Sequence, residues 1–113
     1  MTKGKRPGVT GEGDATQLVR FNKLLEAMRG NPKNDWGISD VEKLCQQIGM
    51  EARPPAGGGS HYKVSSDLFK GALTIPAKRP IRPVYIRLLV QWADRHLLLQ
   101  AAISARAGRE PGK

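Results

Sequence analysis

The residues best suited to chemistry in this chain are one histidine and the cations around it. Residues 57–63 read GGGSHYK, so three glycines and a serine deliver His61 to the first position of an alternating run. Glycines let a backbone bend tightly and approach a ligand with no side chain in the way. An imidazole at the rim of such a loop can take or give a proton near neutral pH. Downstream, residues 68–93 contain no Asp or Glu but hold Lys70, Lys78, Arg79, Arg82 and Arg87. That block is the natural candidate for phosphate contact, because cations that displace condensed counterions supply sequence-independent affinity for nucleic acid. A solvated surface face is the plainer meaning of scattered basic residues.

Several chemistries are excluded by pattern. The chain has no HExxH, no phosphate loop ending in Lys-Ser or Lys-Thr, no nucleophile-elbow motif and no paired-carboxylate motif. His96, the second histidine, has no Cys or carboxylate cluster beside it, so no metal and no cofactor is expected; it reads as a partly exposed helix residue. RNA strand cleavage fits what is left, because RNA carries its own nucleophile in the 2′-hydroxyl. A base removes that proton, an acid protects the leaving oxygen, and cations hold the charge on phosphorus; each proton-transfer role is worth ~10²–10⁴-fold. DNA lacks the hydroxyl and would be spared. On residues alone, a lone histidine at a strand start is also compatible with a structural role.

These residues need elements to position them. Leu18, Phe21, Leu24, Leu25 and Met28 recur at three- and four-residue steps and predict an amphipathic helix over 15–29, stopped by Gly30-Asn31-Pro32. Ser39 and Glu42 resemble a capping box opening a second helix, with Ile38, Val41, Leu44, Cys45 and Ile48 as its buried stripe and Gly49 as its left-handed stop. Short strands are predicted at 50–53, 61–65 and 71–75, with a glycine-proline loop at 54–59 and a hairpin connection at 66–70. Pro83 suits the first turn of a final helix over 84–103, with Val84, Leu88, Leu89, Trp92, Ala93 and Leu97 facing the core. Tyr62 and Trp92 are expected inside, and Trp36 over the core edge. The fold class is α+β: α-β-β-β-α as in double-stranded-RNA-binding domains, a three-stranded antiparallel sheet with helices on one face, plus an added N-terminal helix.

The string Gly59-Ser60-His61-Tyr62, then Leu73-Thr74-Ile75-Pro76, then Ile81-Arg82-Pro83 with Ile86 and Leu89 beyond, resembles the HicA family of toxin mRNA interferases. The likeness covers residues 38–93, about half the chain. It implies the double-stranded-RNA-binding type of fold and a metal-independent endoribonuclease in which His61 is catalytic and Gly59 and Ser60 shape its loop. It also implies a HicB-type antitoxin as partner beside mRNA. Val84-Tyr85 stands where the family has Gly-Thr, and Asn31-Pro32 with Trp36 is similar to longer relatives. Lys63, Lys78, Arg79 and Arg82 are the candidate RNA contacts.

The totals agree with one small domain. Nineteen Lys and Arg against ten Asp and Glu, a net charge of +9 in 113 residues, suit an anionic partner, either nucleic acid or an acidic protein. Cys45 is the sole cysteine, which rules out an intramolecular disulfide, fits a reducing cytoplasm and reads as a small core residue. No membrane span or secretory leader is expected. Residues 1–14 and 107–113 read as disordered tails around a single domain over 15–106, with its core at 38–103. The leucine-rich end of the last helix offers a surface for a homodimer. Two other function classes remain open: an RNA-binding module without catalysis, and a structural or oligomerising protein.

Overall fold

The computed structural model describes residues 21–109, in the order helix, helix, three strands, helix. Helix α1 spans Lys23–Gly30. Asn22 opens it: the residue is extended and its Oδ1 accepts the Leu25 amide at 2.9 Å. Leu25 and Met28 are buried as expected, but Phe21, ahead of the cap, is 77% exposed rather than part of the stripe. The rest of the expected 15–29 helix, Leu18 included, lies outside the described residues, as does the tail over 1–14.

Helix α2 spans Ile38–Ile48 and buries Val41, Leu44, Cys45 and Ile48. Its start corrects the Ser39–Glu42 expectation. Gly37 is the cap, and the Asp40 carboxylate reaches back to accept the Gly37 amide at 2.8 Å, so the box is half-built and two residues earlier. Trp36, just before it, is buried and donates its indole N–H to the Asn31 carbonyl at 2.8 Å. Gly49 closes the helix with φ of 90°, which a residue with a Cβ adopts only at a cost.

The strands β1 (Glu51–Arg53), β2 (His61–Ser66) and β3 (Phe69–Pro76) form an antiparallel meander in the order β1-β2-β3. Asp67 and Leu68 alone join β2 to β3, because both strands run into the expected 66–70 connection. Register puts Ala52 opposite Val64, Val64 opposite Leu73 and Tyr62 opposite Ile75. Val64, Leu73 and Ile75 are buried in one cluster with the helical residues, and Ala52 packs against it. The alternate set Arg53, His61, Lys63 and Thr74 is exposed, so the helices cover one face and water the other. Tyr62 takes the inner side but is only half-buried.

Helix α3 spans Pro83–Arg109, so it starts at the proline as expected but runs on through residues 107–109, which the sequence reading assigned to a tail. Its buried stripe is Ile86, Leu89, Val90, Ala93, Leu97 and Ala101. Leu89, Ala93 and Leu97 are buried as expected, whereas Val84 is 51% exposed and Leu88 and Trp92 sit at the margin. The apolar band of α3 is wider than the surface it packs against, and the small sheet takes only its centre. Leu98 and Ile103 remain exposed. Arg29 of α1 grips Asp94 of α3 with both terminal guanidinium nitrogens at 2.8 Å. Asp94 first and Glu26 second hold Arg29 more firmly protonated. As a half-exposed pair it contributes at most about 1 kcal/mol. No helix among the described residues is long and apolar enough to cross a membrane.

Candidate nucleic-acid interface at the glycine loop

After β1 the chain turns through Pro54-Pro55 and a single turn at Ala56–Gly58. Gly57 and Gly58 have φ of 74° and 85°, in the left-handed region that L side chains avoid, and a Cβ on either would meet open space. The glycines are therefore required by backbone conformation, not by crowding. Gly59 differs: its φ is −71°, and a Cβ there would lie 3.4 Å from the Pro55 side chain.

This loop sets His61 at the end of β2 on the open face. The Ala77 amide donates to the Ser60 carbonyl at 2.7 Å, continuing the register in which His61 faces Pro76. The loop that carries Lys78 therefore leaves β3 beside the glycine loop. His61 is exposed, and its Nδ1 lies 3.4 Å from the Ser60 hydroxyl. Lys63, two positions on and on the same face, sits between Arg53 on β1 and Thr74 on β3. His61 and Lys63 thus share the open face, with Ser60 on the glycine loop and Lys78 on the adjoining loop at the same end of the sheet.

The other predicted cations lie elsewhere. Arg79 turns to Asp35, with Nε 3.0 Å from the carboxylate and Nη2 3.1 Å from the Asp35 carbonyl. Its guanidinium packs over Gly37 at the start of α2, where a Cβ would come within 3.0 Å of it. The Asp35 carboxylate raises its pKa further. Arg82 is exposed at the start of α3, where its carbonyl accepts the Tyr85 amide at 3.0 Å. Ile81 between them is buried, and its amide donates to the Trp36 carbonyl at 2.9 Å, pinning this loop to the start of α2.

His96 is not the partly exposed residue expected from sequence; it is 2% exposed. Its Nε2 lies 2.9 Å from the Ile48 carbonyl and its Nδ1 2.8 Å from the Ser66 hydroxyl. A carbonyl only accepts, so Nε2 carries the hydrogen and Nδ1 accepts from Ser66. The Leu68 amide in turn donates to Ser66 Oγ at 2.9 Å. Every polar atom is satisfied, and the ring joins α3, the end of α2 and the β2–β3 turn. Cys45 is buried, and burial first and Glu42 second push its thiol up to about 11, so it is no nucleophile at neutral pH. Among the described residues no group of three or more His, Cys, Asp or Glu could hold a metal ion. An open groove of about 800 Å³ beside Asn22, Ile48, Leu97 and Gln100 contains none of the predicted site residues.

Arg53 and Thr74 are the neighbours that sequence reasoning missed. Their place beside Lys63 follows from strand register, and only the charge of Arg53 could have drawn attention to it. Comparison of the chain with protein-family models, with curated proteins and with solved structures finds no match in any of the three.

Proposed function

We propose that this protein is a metal-independent endoribonuclease of the HicA type, with His61 as its proton-transfer group. The observation that carries the reading is the placement of His61: exposed on the open face, presented by a loop whose glycines are conformationally required, with Lys63 on the same face and Lys78 on the adjoining loop. Helix, three-stranded meander and helix in that order support a double-stranded-RNA-binding type of arrangement. Ser60 lies beside Nδ1, and Lys63 and Lys78 supply cations for the phosphates on either side of the imidazole. The basic surface also suits an acidic antitoxin of the HicB kind, which would cover the same residues.

An oligoribonucleotide and its copy with a single 2′-deoxy substitution at the cleaved step, both in excess chelator, test this. Cleavage of the first alone is expected. Equal cutting of both, or cutting only with added divalent metal, contradicts it.

A second reading is an RNA-binding module in which His61 is incidental. It is favoured by one fact: among the described residues the ring's hydrogen-bond partner is Ser60 alone, at a long 3.4 Å, with no carboxylate to orient it. In that case His61→Ala leaves RNA affinity and its salt dependence intact and there is no cleavage to lose.

A further inference from the structure

Resting on the nucleic-acid reading of this face, we infer that Arg53 and Lys63 form a two-cation clamp for a polynucleotide backbone, which Glu51 holds partly neutralised in the free protein. Arg53 and Lys63 are direct cross-strand partners on the open face. Like charges opposed in this way destabilise a sheet, and nothing in the packing of an open face calls for them. An anion between the two would remove that repulsion.

Among the described residues the counter-charge paired with Arg53 is Glu51, two residues back on the same strand, at 2.8 Å. Both of these side chains are more than half exposed, so the pair is weak and open to exchange. Lys63 has no ion-pair partner among the described residues. His61 lies on the same side two residues before Lys63, a step of about 6.5–7 Å along a strand, the scale of one nucleotide of extended backbone. A strand with one phosphate between Arg53 and Lys63 thus brings the next linkage to the imidazole.

The aromatic residues of the described region lie elsewhere. Trp36 is buried, Tyr62 alternates inward, Tyr85 packs against the core from α3, Phe21 precedes α1 beside the groove lined by Gln47 and Leu97, and Phe69 stacks on Trp92 with centroids 5.2 Å apart, under Arg95. The open-face positions in register, Glu51, Arg53, His61, Lys63, Ser65, Thr74 and Pro76, offer bases no stacking platform. Contact is to the backbone, so binding is indifferent to base sequence.

The test uses the full chain and a fluorescent, fully 2′-O-methylated single-stranded RNA, which binds but cannot be cut. Anisotropy is read across a salt series. Arg53→Gln and Lys63→Gln should each weaken binding several-fold and flatten the log–log salt slope by about 0.7, the value for one phosphate contact on a single strand. Glu51→Gln should tighten binding a few-fold, and two unrelated base sequences should bind within about threefold of each other. All three side chains are exposed, and unchanged melting temperatures verify the variants. If Arg53→Gln and Glu51→Gln leave affinity and slope unchanged while Lys78→Gln lowers both, the clamp is wrong and the interface reading stands. If the wild-type chain shows no salt-dependent RNA binding, both fall, and an acidic protein becomes the partner to seek.

Discussion

The two histidines of the chain occupy opposite surroundings on one scaffold. His96 is sealed between α2, α3 and the β2–β3 turn, with both ring nitrogens engaged at 2.8 and 2.9 Å. His61 stands in water at the mouth of a glycine loop, with one long contact to a neighbouring hydroxyl. A ring whose polar atoms are all satisfied inside the fold belongs to the architecture, since moving its proton would orphan a buried partner. A ring open to solvent and flanked by cations can exchange a proton with a ligand at little structural cost. Residue type is therefore no guide here; what separates the two is where the hydrogen bonds go.

That contrast is open to mutation. His61→Ala should lower RNA cleavage by at least ~10²-fold and leave the melting temperature unchanged, measured on the same preparation. His96→Ala should do the reverse. It removes a fully buried ring and strands the Ser66 hydroxyl and Ile48 carbonyl, costing about 3 kcal/mol in denaturant unfolding. A His96 variant that is as stable as the wild type but has lost cleavage would invert the assignment.

The next effect belongs to the buried side alone. Burial raises the Cys45 thiol from 9.0 to about 11, so the folded state disfavours the thiolate. A raised folded value means this contribution is fully present below pH 9 and is lost as pH rises towards 11. The loss is on the order of 2–3 kcal/mol. Denaturant melts of wild type and Cys45→Ala between pH 8 and 11 should diverge in slope over that window; parallel curves would contradict it. Smaller still is Gly49→Ala. The forced positive φ, with the new Cβ 3.6 Å from His96 Nε2, should cost about 1–2 kcal/mol and leave RNA binding unaltered.

Much of the scaffold is legible in the chain. The spacing of Val41, Leu44, Cys45 and Ile48, the stop at Gly49, Pro83 at the head of α3 and the three-strand meander all follow from local pattern, because local sterics and one buried face determine them. What escapes is set by contacts between distant segments. Gly37 serves as cap because Asp40 reaches back and Arg79 packs over it, whereas Ser39 and Glu42 mimic a start that is never used. The burial of His96 depends on Ser66 and Ile48, and the engagement of Arg79 on Asp35; no window of sequence contains either pair. On α3, Leu89, Ala93 and Leu97 are buried as the pattern predicts, but Val84, Leu88 and Trp92 are not, because the band is apolar over more of its circumference than the core can cover. At the site, His61, Ser60 and Lys63 are readable from one heptapeptide, while Arg53 comes into view only through register.

The most direct trial of the account is cleavage of a defined single-stranded RNA by wild type and His61→Ala in excess chelator, with product ends and RNA affinity read together. Wild type should leave 2′,3′-cyclic phosphate ends and the mutant none, with equal binding by both. Undiminished cleavage by His61→Ala, or binding without cleavage by both proteins, would contradict it and return the glycine loop to a purely structural role.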